Sequence, residues 1–104
     1  MLINETSLNM MVKARSIVVQ YFNSHADITD IRTINLGNTY VVWFSKTLQN
    51  WKALVSTDVP DGMYYEITYN GDKKETYLDV YKKWENIVIP DDTYGNTSWY
   101  GSNG

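Results

Sequence analysis

Gly62-Met-Tyr-Tyr-Glu-Ile-Thr-Tyr-Asn-Gly-Asp-Lys-Lys-Glu-Thr-Tyr-Leu-Asp-Val-Tyr81 is the stretch whose reading decides the fold. Two β-type runs flank Asn70-Gly71, a dipeptide that readily takes the positive φ angles of a two-residue hairpin turn. Side chains alternate along a strand. Met63, Tyr65, Ile67 and Tyr69 therefore share one face, with Tyr64, Glu66 and Thr68 opposite. On the second strand Thr76, Leu78 and Val80 oppose Tyr77, Asp79 and Tyr81. A helix over 75–86 competes, because Tyr77, Val80, Tyr81 and Trp84 also recur at helical spacing. The strand is preferred, since the turn supplies a partner and Thr, Tyr and Val suit a pleated surface.

Working outward, residues 6–23 read as an amphipathic helix capped by Thr6 or Ser7, whose hydroxyls can accept from free N–H groups. Leu8, Met10, Met11, Val12, Ala14, Ile17, Val18, Val19, Tyr21 and Phe22 fill an arc of roughly 220°, wider than one sheet face needs. A second buried contact, within the chain or with another copy, follows, and a homodimer is expected. Arg15 projects inside that arc, either snorkelling to the rim or holding an ion pair. Ile31–Leu36 and Thr39–Thr47 read as strands joined by Gly37-Asn38. Tyr40–Phe44 is apolar on both faces, as in a central strand covered on both sides. Trp51–Thr57 follows the loop Leu48-Gln49-Asn50, with Trp51, Ala53 and Val55 on one face and Lys52, Leu54 and Ser56 on the other. Val59-Pro60-Asp61-Gly62 is a turn in which Gly62 takes the left-handed position. After the Ile87–Ile89 run, stopped by Pro90, the Gly-rich polar segment 91–104 reads as a flexible tail carrying Trp99-Tyr100. The expected fold is α+β: one N-terminal helix on a four- to five-stranded antiparallel meander, a single domain over 1–90.

Composition narrows the functional classes. In 104 residues there is no cysteine, so no disulfide framework, thiolate nucleophile or cysteine-based zinc site is available. No basic n-region leads an apolar signal core, and no apolar run approaches the ~20 residues of a membrane span. A soluble, cytoplasmic protein is expected. The net charge of −3 argues against a generic phosphate-binding surface. His25 near Asp27 and Asp30 could bind metal or move protons, but beside a helix C-terminus it reads first as a dipole partner. No Gly-x-Ser-x-Gly elbow and no phosphate-cradling loop occurs. Glu66 and Asp79 are expected to face each other across the hairpin, which would resemble an acid–base pair, but with Lys52 and Lys46 nearby an exposed charge network is preferred. No enzyme, cofactor or metal site is expected.

The surface offers more. If the helix covers the Ile67/Leu78/Val80 face, then Tyr64, Tyr77, Tyr81, Lys52 and Lys83 lie on an open one. Tyrosines there can anchor a protein partner, stack single-stranded nucleic-acid bases, or simply form cross-strand pairs. Glu66, Glu75, Asp79 and Glu85 interleave with Lys52, Lys73, Lys74, Lys82 and Lys83, which ranks protein above nucleic acid. Trp99 is a further candidate contact.

The segments Tyr40–Ser56, Asp61–Gly71 and Tyr77–Lys83, with the lead-in Tyr21-Phe22-Asn23 and His25-Ala-Asp27, resemble a family of small phage and prophage proteins of Gram-positive bacteria. The likeness covers roughly residues 8–90. It implies an accessory protein that works by binding a host or phage protein, and it assigns no functional residue.

Overall fold

The computed structural model describes residues 5–25 and 33–91. Helix α1 spans Glu5–Ser24, and strands β1 (Thr39–Thr47), β2 (Asn50–Thr57), β3 (Met63–Asn70) and β4 (Glu75–Lys82) follow. The strands form one antiparallel sheet in the order β1-β2-β3-β4, so β1 and β4 are its edges. One helix on a four-stranded open sheet is the expected α+β architecture, and residues 75–82 are strand, not helix.

The helix packs on one sheet face because its apolar stripe matches the inward-pointing residues of the central strands. Ala14 and Val18 of α1 are fully buried against Ala53, Val55 and Ile67, with Trp51 and Tyr65 beside them. Aromatic packing extends this centre: Trp51 stacks on Tyr69 at 5.8 Å and lies 5.9 Å from Phe44, while Tyr21 meets Tyr65 edge-on at 6.0 Å. The Lys13 ammonium sits 4.8 Å from the centre of the Tyr69 ring, a cation–π contact at the rim. Leu78 and Val80 pack against this centre only partly.

Several local expectations are corrected. Thr6 and Ser7 lie inside the first turn of α1, not before it. In place of a strand ending at Leu36 and a Gly37-Asn38 hairpin, residues 33–35 are irregular and Leu36–Asn38 form a 3₁₀ turn. Asn35 and Asn38 cap that turn with their own side chains, so polar side chains outcompete a ladder there. The segment is tied to the helix: Asn23 donates to the Ile34 carbonyl at 3.0 Å and accepts from the Ile34 N–H at 2.9 Å. Arg15 does not snorkel freely, and among the described residues it pairs with no carboxylate. Its Nε donates to Thr39 Oγ1 at 2.9 Å and its Nη2 to the Leu36 carbonyl at 2.7 Å.

Strand β1 is not a doubly covered central strand. It is an edge, and Tyr40, Val42 and Trp43 are 50%, 45% and 41% exposed. Val42 is an extra residue, a bulge between the Val41–Val55 and Trp43–Leu54 pairs. That extra residue restores alternation after two consecutive valines, putting Phe44 inward and Trp43 outward.

The turn of the opening hairpin also differs. Asn70 pairs with Glu75, so four residues, Gly71–Lys74, form the loop. The left-handed residue is Lys74 (φ 54°), not Gly71. The Asn70 side chain accepts from the Asp72 and Lys73 N–H groups at 3.0 and 3.2 Å, which rounds the turn more widely than two residues would. The Gly71 N–H donates to Asn50 Oδ1 at 2.7 Å, and Gln49 Nε2 donates to Asp72 Oδ1, locking this tip onto the β1–β2 turn. Gly62 (φ 71°) takes the left-handed position expected of it.

Candidate functional site

The sheet face turned away from α1 follows from register. Tyr40 opposes Ser56, Ser56 opposes Tyr64 and Tyr64 opposes Tyr81, making one row across all four strands. A second row runs Trp43, Leu54, Glu66, Asp79, and a third Ser45, Lys52, Thr68, Tyr77. The expected trio Tyr64, Tyr77 and Tyr81 is therefore brought onto one face, with Tyr64 half-buried and Tyr77 and Tyr81 exposed. Lys52 joins them. Lys83 lies just past β4, exposed, its N–H bonded to the Gly62 carbonyl at 2.7 Å. Trp99 lies outside the described residues, as do Asp27, Asp30 and the rest of the expected tail beyond Asp91.

The charged centre of this face is organised. Glu66 Oε2 lies 3.8 Å from Lys52 Nζ, and Tyr81 donates its hydroxyl to Glu66 Oε1 at 3.3 Å. Tyr77 donates to Glu75 Oε1 at 2.8 Å on its own strand. The carboxylates raise both phenols above the ordinary tyrosine value: Tyr81 chiefly through the charge of Glu66, Tyr77 chiefly through the hydrogen bond to Glu75. Of the charge network expected of Glu66, Asp79 and Lys52, the Lys52–Glu66 pair forms, with Asp79 opposite Glu66 in the register. Lys46 is not part of it, because its Nζ turns back onto the Leu48 carbonyl.

Two members of this face escaped sequence reading. Tyr40 and Trp43 belong to it because β1 is an edge strand and its bulge reverses alternation; the unbroken apolar run Tyr40–Phe44 hid both facts. The asymmetry visible in sequence was the polar residue Ser45 continuing the Trp43 face.

Of the alternative centre around His25, only His25 lies within the described residues, at the end of α1. His25 stacks on Tyr21 at 4.0 Å, and its Nδ1 lies 2.9 Å from the Tyr21 carbonyl and 3.0 Å from Ser24 Oγ. Among the described residues no group of three potential metal ligands comes together, and no helix is long and apolar enough to cross a membrane.

On the helix side, Tyr65 carries the one buried phenol with a raised pKa. Burial is the main cause, with Asp61 and Tyr21 adding to it. A folded value above the unfolded ~10 means that this group's contribution is fully present below pH ~10 and is lost as pH rises through the folded value. Urea unfolding followed across alkaline pH is expected to show stability falling above pH ~10, and Tyr65→Phe is expected to flatten that fall. Parallel losses in both proteins would assign the alkaline limb to other groups.

A family model described as a family of unknown function (DUF6275) matches residues 11–91, which include the helix from its second turn and the whole sheet. No curated protein and no solved structure matches the chain.

Proposed function

We propose, for a chain that belongs to the family of unknown function DUF6275, a non-enzymatic role in which the outer sheet face binds another protein. The observation that carries this reading is the face itself. Nothing among the described residues covers it, and Tyr40, Trp43, Tyr77 and Tyr81 are each at least 41% exposed around the Lys52–Glu66 pair. Monomers seldom leave aromatic side chains grouped in this way without a binding role. Tyr and Trp suit such a role because they give large contact area and freeze few torsions.

Chemistry favours a protein over single-stranded nucleic acid. The aligned Tyr64 and Tyr81 could stack bases, but Glu66, Asp79 and Glu75 share their face with Lys52 as its strand-borne cation. Phosphates would meet net negative charge there. A partner with a basic or apolar contact surface fits better. The resemblance to small phage and prophage proteins of Gram-positive bacteria supports a host or phage protein in the bacterial cytoplasm as that partner.

Affinity capture with the immobilised chain tests the reading. A bound protein is expected from wild type and is expected to be lost with Trp43→Ala or Tyr81→Ala. Each substitution should weaken binding ~30-fold if it removes a central anchor worth ~2 kcal/mol. Both positions are exposed, so circular dichroism should show the fold retained. Capture undiminished by either variant overturns the proposal. So does tight binding of an oligonucleotide at low salt with no protein partner, since phosphate contacts are strongest there.

A further inference from the structure

We propose that a second copy of this chain docks on the β1 edge, with β1 antiparallel to β1 about a two-fold axis and the two α1 helices meeting above the joined sheet. The two edges of the sheet differ in how they are protected. Strand β4 carries Glu75, Asp79 and Lys82 along its edge, the usual defence against strand addition. Strand β1 carries no charge from Thr39 through Ser45. Its first charge, Lys46, is folded back onto the Leu48 carbonyl.

Above that edge, none of the described residues covers the outer part of the helix stripe. Leu8 and Val12 are 49% and 44% exposed, level with Val42 of β1 at 45%. An open groove of about 350 Å³ runs between the helix and the start of β1, lined by Leu8, Met11, Val12, Arg15, Thr39, Tyr40 and Val41. Arg15 is anchored to one wall of this groove, its guanidinium donating to Thr39 Oγ1 and the Leu36 carbonyl. The apolar surface thus spans two layers, helix over strand.

That depth selects the occupant. A lone extended peptide would pair with the strand and leave Leu8 and Val12 wet. A partner must carry its own apolar helix above its own free strand edge, and a second copy does so with the same residues, as an isologous interface requires. The size fits as well. Nine residues at ~3.3 Å give an edge ~30 Å long, and two layers make it ~20 Å deep, or ~600 Å² per copy. Doubled, that reaches the ~1,200 Å² lower end of stable protein interfaces. Charge points the same way: copies of a chain with net charge −3 meet most easily on a surface whose groove is lined by no carboxylate. The bulge at Val42 limits regular pairing to the runs on either side of it, so the helix contacts supply the remainder. This surface meets the outer face at Tyr40, which lines the groove, and takes in the exposed part of the helix stripe at Leu8 and Val12.

Sedimentation equilibrium on the full chain is the test, with Val42→Lys and Val12→Lys as interface variants and Tyr77→Ala as an outer-face control. All three positions are exposed, so circular dichroism should be unchanged. Wild type is expected to dimerise with a micromolar constant, each lysine to weaken the dimer ~30-fold or more, and the control to leave it intact. A wild-type monomer at ~1 mM overturns the proposal. So does a dimer that survives both lysines, or one that Tyr77→Ala disrupts as strongly.

Discussion

Trp51→Ala is expected to remove a large share of the protein's stability. The indole is 4% exposed, stacks on Tyr69 and borders Phe44, and closes the core that α1 covers. Truncating a buried aromatic costs ~3–5 kcal/mol, through lost burial and the cavity left behind. A domain of this size commonly holds only ~5–15 kcal/mol in total. At ~4–8 °C per kcal/mol, the melting temperature should fall by at least ~12 °C. Urea unfolding should show a lower midpoint with an unchanged slope, because the surface exposed on unfolding hardly alters. The reason for so large an effect is geometric. Trp51 is on a central strand, and its ring joins inward residues of both neighbouring strands, Phe44 on β1 and Tyr69 on β3. Trp51→Phe, which keeps part of that contact, should recover part of the loss. A Trp51→Ala protein within ~1 kcal/mol of wild type would mean that the helix–sheet layer is held elsewhere.

Gly71→Ala is the second expected large effect, and its mechanism is steric. A Cβ at residue 71 would collide with the carbonyl oxygen and side chain of Gln49, where the two turn tips interlock. The backbone there is not left-handed, since among the described glycines only Gly62 has a positive φ. The glycine is required by close approach. Because backbone blocks the new methyl group, the tips must separate, and overpacking of this kind costs ~1–3 kcal/mol. Separation also strains the bonds from Gly71 to Asn50 and from Gln49 to Asp72. Thermal unfolding measures the loss, and Gln49→Ala in the same chain should restore only part of it, because the carbonyl remains. Gly62→Ala provides the contrast. Its Cβ has room, the nearest atom being Lys83 Cβ at 3.8 Å, but its φ of 71° costs an alanine ~1–2 kcal/mol. Complete rescue of Gly71→Ala by Gln49→Ala would place the obstruction in the side chain alone.

What was legible in the sequence follows one rule: local patterning survives wherever a single face is buried. Residues 63–69 and 76–81 alternate cleanly, and every face assignment made for them holds in the register. The helix stripe is legible for the same reason, as are the strand boundaries at Thr39, Thr47 and Thr57. Reading failed where a side chain or a neighbouring turn decided the backbone. Asn-Gly favours a two-residue turn in isolation; here the Asn70 side chain and the adjacent Gln49–Asn50 tip draw four residues into the loop. Gly37-Asn38 suggested another hairpin, and mutual capping by Asn35 and Asn38 made a 3₁₀ turn instead. Of the candidate face, the three tyrosines and Lys52 were legible through alternation, while Tyr40 and Trp43 were not.

By itself, then, the sequence determined an α+β domain and the inward and outward sides of the Met63–Lys82 hairpin. Period-two and helical spacing encode these directly, because each residue's face depends only on its neighbours along the chain. Only the tertiary structure decided that β1 is an edge among the described strands, that its bulge turns Trp43 outward, and that Leu8, Val12 and Val42 are each exposed. Those properties depend on which strand stops the sheet and how far one helix reaches across it, and no local period records either.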